Sequence, residues 1–105
     1  MEYIVVFITV PNLEVGEKIG NTLVEEKLAA CVNITSEIKS VYFWKGRIEE
    51  DKEHLLIIKT RKDKFESLEK RVKEIHPYEV PEIIAMPIVL GSKDYLSWID
   101  ETLER

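Results

Sequence analysis

Residues 3–10, Tyr-Ile-Val-Val-Phe-Ile-Thr-Val, form a continuous β-branched and aromatic run, which predicts a central strand buried on both faces. Pro11 ends the run, and Asn12 stands where a helix N-cap would. From Leu13 to about Leu28 the apolar residues Val15, Ile19 and Leu23 recur at every fourth position, one stripe of a helix. Glu14 and Lys18 make a charge pair on its outer face. A long β-like stretch follows from Ala29 to Trp44, with Val32, Ile34, Ile38, Val41 and Phe43 as its apolar positions. The alternation changes phase between Ile38 and Val41, which predicts a bulge or bend. Lys45-Gly46-Arg47 reads as a turn. A strand from about Glu49 to Thr60, with Leu55-Leu56-Ile57-Ile58 at its heart, completes a hairpin.

The second half repeats the logic. Asp63 followed by Glu66 resembles a capping box with Asp in place of Ser or Thr. Phe65, Leu68, Val72 and Ile75 then form a helical stripe, and Glu66–Lys70 and Glu69–Lys73 pair at i, i+4. His76-Pro77 ends that helix, because a residue before proline avoids the α region. A strand from Glu82 to Val89 follows Val80-Pro81, and Gly91-Ser92 opens a last helix with Leu96, Ile99 and Leu103 on one face. The order β-α-β-β-α-β plus a C-terminal helix predicts an α+β, ferredoxin-like sandwich, a single domain over 1–105. Both helices would cover one face of the sheet. Strands this apolar on the other face predict an oligomer.

Composition narrows the function. With 20 acidic against 15 basic residues the net charge is −5, the wrong sign for a nucleic-acid footprint and a weak, unselective attraction for cations. Cys31 is the only cysteine, so no intramolecular disulfide can form and a reducing, cytoplasmic compartment is expected. The amino-terminal segment does not have the form of a secretory signal, and no apolar run is long enough to span a bilayer. Gln is absent and Asn occurs only at 12, 21 and 33, a composition that hints at thermostability.

Several strings carry a family resemblance. They are Ala-Ala-Cys-Val-Asn at 29–33, Ser-Val-Tyr-Phe-Trp-Lys-Gly at 40–46, Lys-Thr at 59–60, His-Pro-Tyr-Glu-Val-Pro-Glu at 76–82 and Tyr-Leu-Ser-Trp-Ile at 95–99. Taken together the chain resembles the CutA divalent-cation tolerance family over nearly its whole length. That resemblance implies a tight homotrimer of ferredoxin-like subunits whose strands extend each other's sheets. It also implies a role in tolerance to divalent metals such as copper, and an architecture similar to PII-type signal proteins. Some members carry a further cysteine near the end of the first strand. Ile8 stands there in this chain, so a thiolate copper site is not implied.

Each candidate residue has a chemical and a structural reading. His76, with Glu79 and Glu82 nearby in sequence, could ligate Cu²⁺ or another divalent cation, with no obligatory cofactor. Alternatively the imidazole caps the second helix. Cys31 reads as core or interface packing. Tyr42, Trp44, Tyr78, Tyr95 and Trp98 suit core and subunit-interface packing. They could instead line a small-molecule cleft between subunits, with Tyr42, Lys59 and Glu82 on its walls, and Lys59-Thr60 could hold an anion. His54 reads as a strand residue.

Enzymatic signatures are missing: the chain has no G-x-S-x-G elbow, no P-loop and no G-x-G-x-x-G fingerprint. The acylphosphatases share the element order but need an arginine-bearing cradle after the first strand, where this chain has Thr9-Val10-Pro11-Asn12. Glu49-Glu50-Asp51 at the turn reads as solvated charge. The expectation is a non-enzymatic, trimeric divalent-cation tolerance protein that binds metal modestly. A PII-like small-molecule sensor and a trimeric scaffold are the alternatives, with no role in nucleic-acid or membrane binding.

Overall fold

A computed structural model describes residues 2–104; Met1 and Arg105, the two ends of the expected domain, lie outside the described residues. The first strand, β1 (Tyr3–Val10), is followed by α1 (Leu13–Glu25), whose cap Asn12 accepts from the Val15 amide at 2.9 Å. Helix α1 closes earlier than the stripe to Leu28 predicts. Lys27 takes a left-handed φ of 61°, and the Leu28 amide reaches back to the Leu23 carbonyl at 2.9 Å. This is a Schellman-type stop, and it turns Leu28 onto the core instead of continuing the helix.

The long stretch expected as one strand is two, β2 (Cys31–Ile34) and β3 (Ile38–Trp44), both paired with the 15-residue strand β4 (Arg47–Arg61). Four residue steps separate Ile34 from Ile38, whereas their partners Leu56 and Glu53 are three apart. One extra residue is therefore extruded at Thr35–Glu37, a bulge a few positions before the expected phase shift. Thr35 anchors it: its amide bonds the Leu55 carbonyl at 3.0 Å and its hydroxyl accepts from the Leu55 amide at 2.9 Å. Beyond Trp44 a two-residue turn, Lys45-Gly46, has φ of 49° and 80°, the left-handed pair of a type I′ hairpin.

A single 3₁₀ turn, Lys62–Lys64, precedes α2 (Phe65–Ile75). Asp63 does not cap α2; Lys64 holds the cap position without a side-chain bond. The Asp63 carboxylate is instead taken by the Arg61 guanidinium at 3.1 and 3.2 Å, a stronger partner than a backbone amide. After β5 (Ile83–Pro87), Ser92 caps α3 (Lys93–Leu103).

The antiparallel strands run β2-β4-β1-β5, with β3 joined to the outer half of β4. Ile4, Val6, Ile8 and Val10 of β1 and Leu56 and Ile58 of β4 face α1 and α2, which contribute Ile19, Leu23, Leu68 and Val72. On the opposite face α3 covers only one end, packing Ile99 and Leu103 against Ala30 and Tyr3. Arg61, 5% exposed, ties that end down through Asp100 at 3.3 Å and Glu104 at 2.6 Å. The β3–β4 hairpin projects from this body. The radius of gyration is 14.3 Å and the longest extent 44 Å, against about 13 Å for a compact chain of this length.

Candidate functional site: an acidic, aromatic cleft under the hairpin

Alternation along β3 puts Ile38, Ser40, Tyr42 and Trp44 on one face of the hairpin, opposite Glu53, Asp51, Glu49 and Arg47 of β4. That face looks towards the loop after α2. Between them lies a cleft of about 730 Å³, walled by Ser40, Tyr42, Trp44, Lys45 and Glu53 of the hairpin, Pro77 to Val80 and Glu82 of the loop, and Thr9.

His76 sets the loop. It is the first non-helical residue after α2, with ψ of 134° ahead of Pro77. Its Nδ1 accepts from the Tyr78 amide at 3.1 Å, so Nε2 carries the hydrogen and donates to the Thr9 carbonyl at 2.9 Å. The imidazole therefore pins the loop to the end of β1, rather than bonding a helix carbonyl. Tyr78 stacks obliquely on it, ring centroids 4.7 Å apart.

The set His76, Glu79 and Glu82 is not assembled as a metal centre within this chain. His76 is 8% exposed with both ring nitrogens bonded. Among the described residues no three His, Cys, Asp or Glu side chains are grouped to hold an ion. Glu79 and Glu82 are exposed and line the cleft.

Glu53 is the residue that sequence reasoning missed. It is 6% exposed and lines the cleft, and its Oε2 accepts from the Tyr78 hydroxyl at 2.6 Å. Among the described residues it makes no ion pair with a Lys, Arg or His. Burial, and then this bond, push the Tyr78 phenol well above its ordinary range. The Tyr42 hydroxyl donates to Asp51, which raises its pKa to about 12. Both phenols stay neutral donors at physiological pH. A signal for Glu53 existed: a two-residue turn at Lys45-Gly46 places it across from apolar Ile38.

The remaining predicted residues lie elsewhere. Cys31 and Lys59 face each other across β2 and β4, and the Lys59 ammonium bonds the Asn33 side chain. Cys31 is half-buried beside Tyr95 of α3, whose phenol is raised by burial and then by the thiol. Trp98, 40% exposed, stacks with Tyr95 at 5.5 Å. Tyr42 and Glu82 thus share the cleft, but Lys59 does not line it.

A family model described as "CutA1 divalent ion tolerance protein" matches residues 4–102. The chain belongs to the CutA1 family. The divalent-cation tolerance protein CutA of Thermus thermophilus is 53% identical over 97 residues, 92% of this chain and 94% of that protein. The CutA structure from Archaeoglobus fulgidus, named a periplasmic divalent cation tolerance protein, superposes with a TM-score of 0.94 at 48% identity, covering 96% of this chain and 98% of that one. CutA1 from Oryza sativa superposes equally well, with a TM-score of 0.94 at 48% identity over 97% of this chain and 94% of that one. The α+β, ferredoxin-like architecture expected from the sequence is that of CutA1 structures. The chain spans about half the length of some curated relatives it matches, such as the chloroplastic CutA of Arabidopsis thaliana, 55% identical over 91% of this chain and 53% of that protein. Among the described residues no helix is long and apolar enough to cross a membrane.

Proposed function

We propose that this CutA1-family chain acts as a non-enzymatic, homotrimeric divalent-cation tolerance protein that binds Cu²⁺ or a similar ion modestly. The observation that carries the reading in this chain is the acid-lined cleft, whose wall among the described residues holds Glu53, Glu79 and Glu82 against one basic residue, Lys45. Binding is modest because the carboxylates are spread round the cleft rather than converging. Glu79 and Glu82 make the contact, and His76 could join them only by releasing Thr9 and Tyr78. Calorimetric titration with Cu²⁺ should show weakened binding in a Glu79→Gln/Glu82→Gln variant. Identical isotherms for that variant and the parent would overturn the assignment.

Support for assembly comes from the surface. Val41, Phe43 and Ile48 of the hairpin are 61%, 70% and 72% exposed, and Ile84 and Met86 of the edge strand β5 are each 54% exposed. Apolar surface of this extent beside the edge strand β5 suits subunit association. Light scattering at low concentration tests it: a mass near three chains is expected, and a monomer sinks the proposal. A half-buried lone Cys31 suits a reducing, cytoplasmic compartment. The amide-poor composition suits a thermostable protein; melting near about 50 °C, ordinary for a mesophilic domain, would count against it.

A second reading, a small-molecule sensor of PII-like design, is favoured by the size of the cleft. Its volume falls within the range of ligand sites. A trimer that responds to no ligand and whose deletion leaves metal sensitivity unchanged would be a scaffold.

A further inference from the structure

We propose that the cleft takes a small organic cation, a primary amine whose ammonium sits on Glu53 and whose body lies against Tyr42, Trp44 and Tyr78. The inference rests on the small-molecule reading of the cleft and names the ligand class.

A carboxylate held at 6% exposure is costly unless its charge is answered. Tyr78 answers one oxygen of Glu53 with a neutral hydroxyl, and the other, which is not sealed from the cleft, has no donor among the described residues. The side chain lines the cleft, so the position beside that oxygen is open to a ligand. It calls for a donor, and a positive one. Glu79 and Glu82 add two further carboxylates to the walls, against the ammonium of Lys45 alone among the described residues, so the local field has the same sign.

The same features disfavour a bare metal at Glu53. An ion of that kind wants several oxygens at about 2.0–2.6 Å, and no three suitable side chains are grouped among the described residues. A volume of about 730 Å³ is also far more than an ion needs. An ammonium compound requires only one strong acceptor, with aromatic faces for the rest of its surface. Tyr42 and Trp44 are 41% and 37% exposed and provide those faces. The chain already shows the pairing: Lys45 Nζ lies 5.6 Å from the Trp44 ring centroid. That ammonium is an internal counterpart of the one proposed for Glu53.

Three probes that share a phenethyl body test the proposal on the protein at neutral pH by ligand-observed NMR: phenethylamine, its isostere 2-phenylethanol, and the bulkier anion 3-phenylpropanoate. Phenethylamine should bind saturably, with the alcohol weaker by about tenfold or more and the acid weaker still. Glu53→Gln keeps the shape and the acceptor for Tyr78 and should lower amine affinity to that of the alcohol. Circular dichroism and solution mass confirm that the variant is folded. Equal binding of amine and alcohol by the parent protein, a comparison that needs no variant, overturns the proposal. So does undiminished amine binding by a folded Glu53→Gln protein. Preferential binding of the alcohol or the acid overturns the amine class and leaves the small-molecule cleft standing. If none of the three saturates, the cleft reading falls with the proposal. The Cu²⁺ reading is tested separately by Glu79→Gln/Glu82→Gln.

Discussion

Strand β4 is one continuous ladder under two different conditions. Its inner half, His54–Arg61, is paired on both sides, by β1 along its whole length and by β2 at Leu56–Lys59. Leu56, Ile58 and Thr60 there are fully buried. Its outer half, Arg47–Glu53, is paired only by β3, and only Glu53 is buried. The inner half holds the domain together and the outer half presents chemistry. Backbone geometry does not separate them; the neighbours do. Covered on two edges and one face, the strand selects Leu and Ile. Covered on one edge, it can display Glu, Asp and apolar side chains on both faces.

The largest effect that would sharpen this contrast is expected in the inner half. Leu56→Ala should destabilise by about 2–5 kcal/mol in urea unfolding, since the cavity forms among side chains that cannot collapse. A loss below about 1 kcal/mol would show that the inner half is not the anchor.

In the outer half a double change, Phe43→Ser with Ile48→Ser, should act on association instead. These two residues are cross-strand partners, both largely exposed. The expected outcome is a lower solution mass with circular dichroism unchanged. Retained mass would break the assignment of the hairpin to assembly.

A smaller effect is expected at the hairpin tip. Gly46 has φ of 80° and an added Cβ would meet nothing within 4 Å, so Gly46→Ala tests conformation alone. About 1 kcal/mol of loss is expected, read as a shift in the unfolding midpoint. No shift would mean that the hairpin orders only through its partners.

The smallest effect concerns acid. The Tyr3 hydroxyl, 2.6 Å from Asp100, and then Arg61 hold the Asp100 carboxyl below its ordinary value of 3.8. A depressed carboxylate contributes stability that is present above 3.8 and lost as pH falls through the native value. Tyr3→Phe should therefore lower stability slightly at neutral pH, the difference from the parent shrinking as pH falls through the native value, so that acid unfolding becomes less steep. An identical acid profile would show that this end of β4 is held by Arg61 and packing instead.

Much of the architecture was legible in the chain. The β1 run, the Asn12 cap, the α2 stripe and the stop at His76-Pro77 depend on interactions within a few residues, and all stand where the pattern puts them. The pattern and the structure part where a partner placed by the fold takes a side chain away from the nearest backbone group. Asp63 was expected to cap α2, but Arg61 claims it while also reaching Asp100 and Glu104 from α3. His76 reads as a metal candidate by residue type, and the fold bonds its ring to Thr9, 67 positions away. The bulge moved to Thr35–Glu37 because the junction of two strand pairings decides where a residue is extruded.

By itself the sequence determined that there are three helices, where β1, β4 and β5 run, the order of the elements and the family resemblance, since periodicity, caps and proline stops are local and the motifs are contiguous. Only the tertiary structure decided which acidic residue is buried. Glu53 sits in a run, Glu49-Glu50-Asp51-Lys52-Glu53, that looks uniformly solvated. Burial there is set by the hairpin face turned towards Tyr78 and the loop that His76 holds, a juxtaposition of segments 25 residues apart.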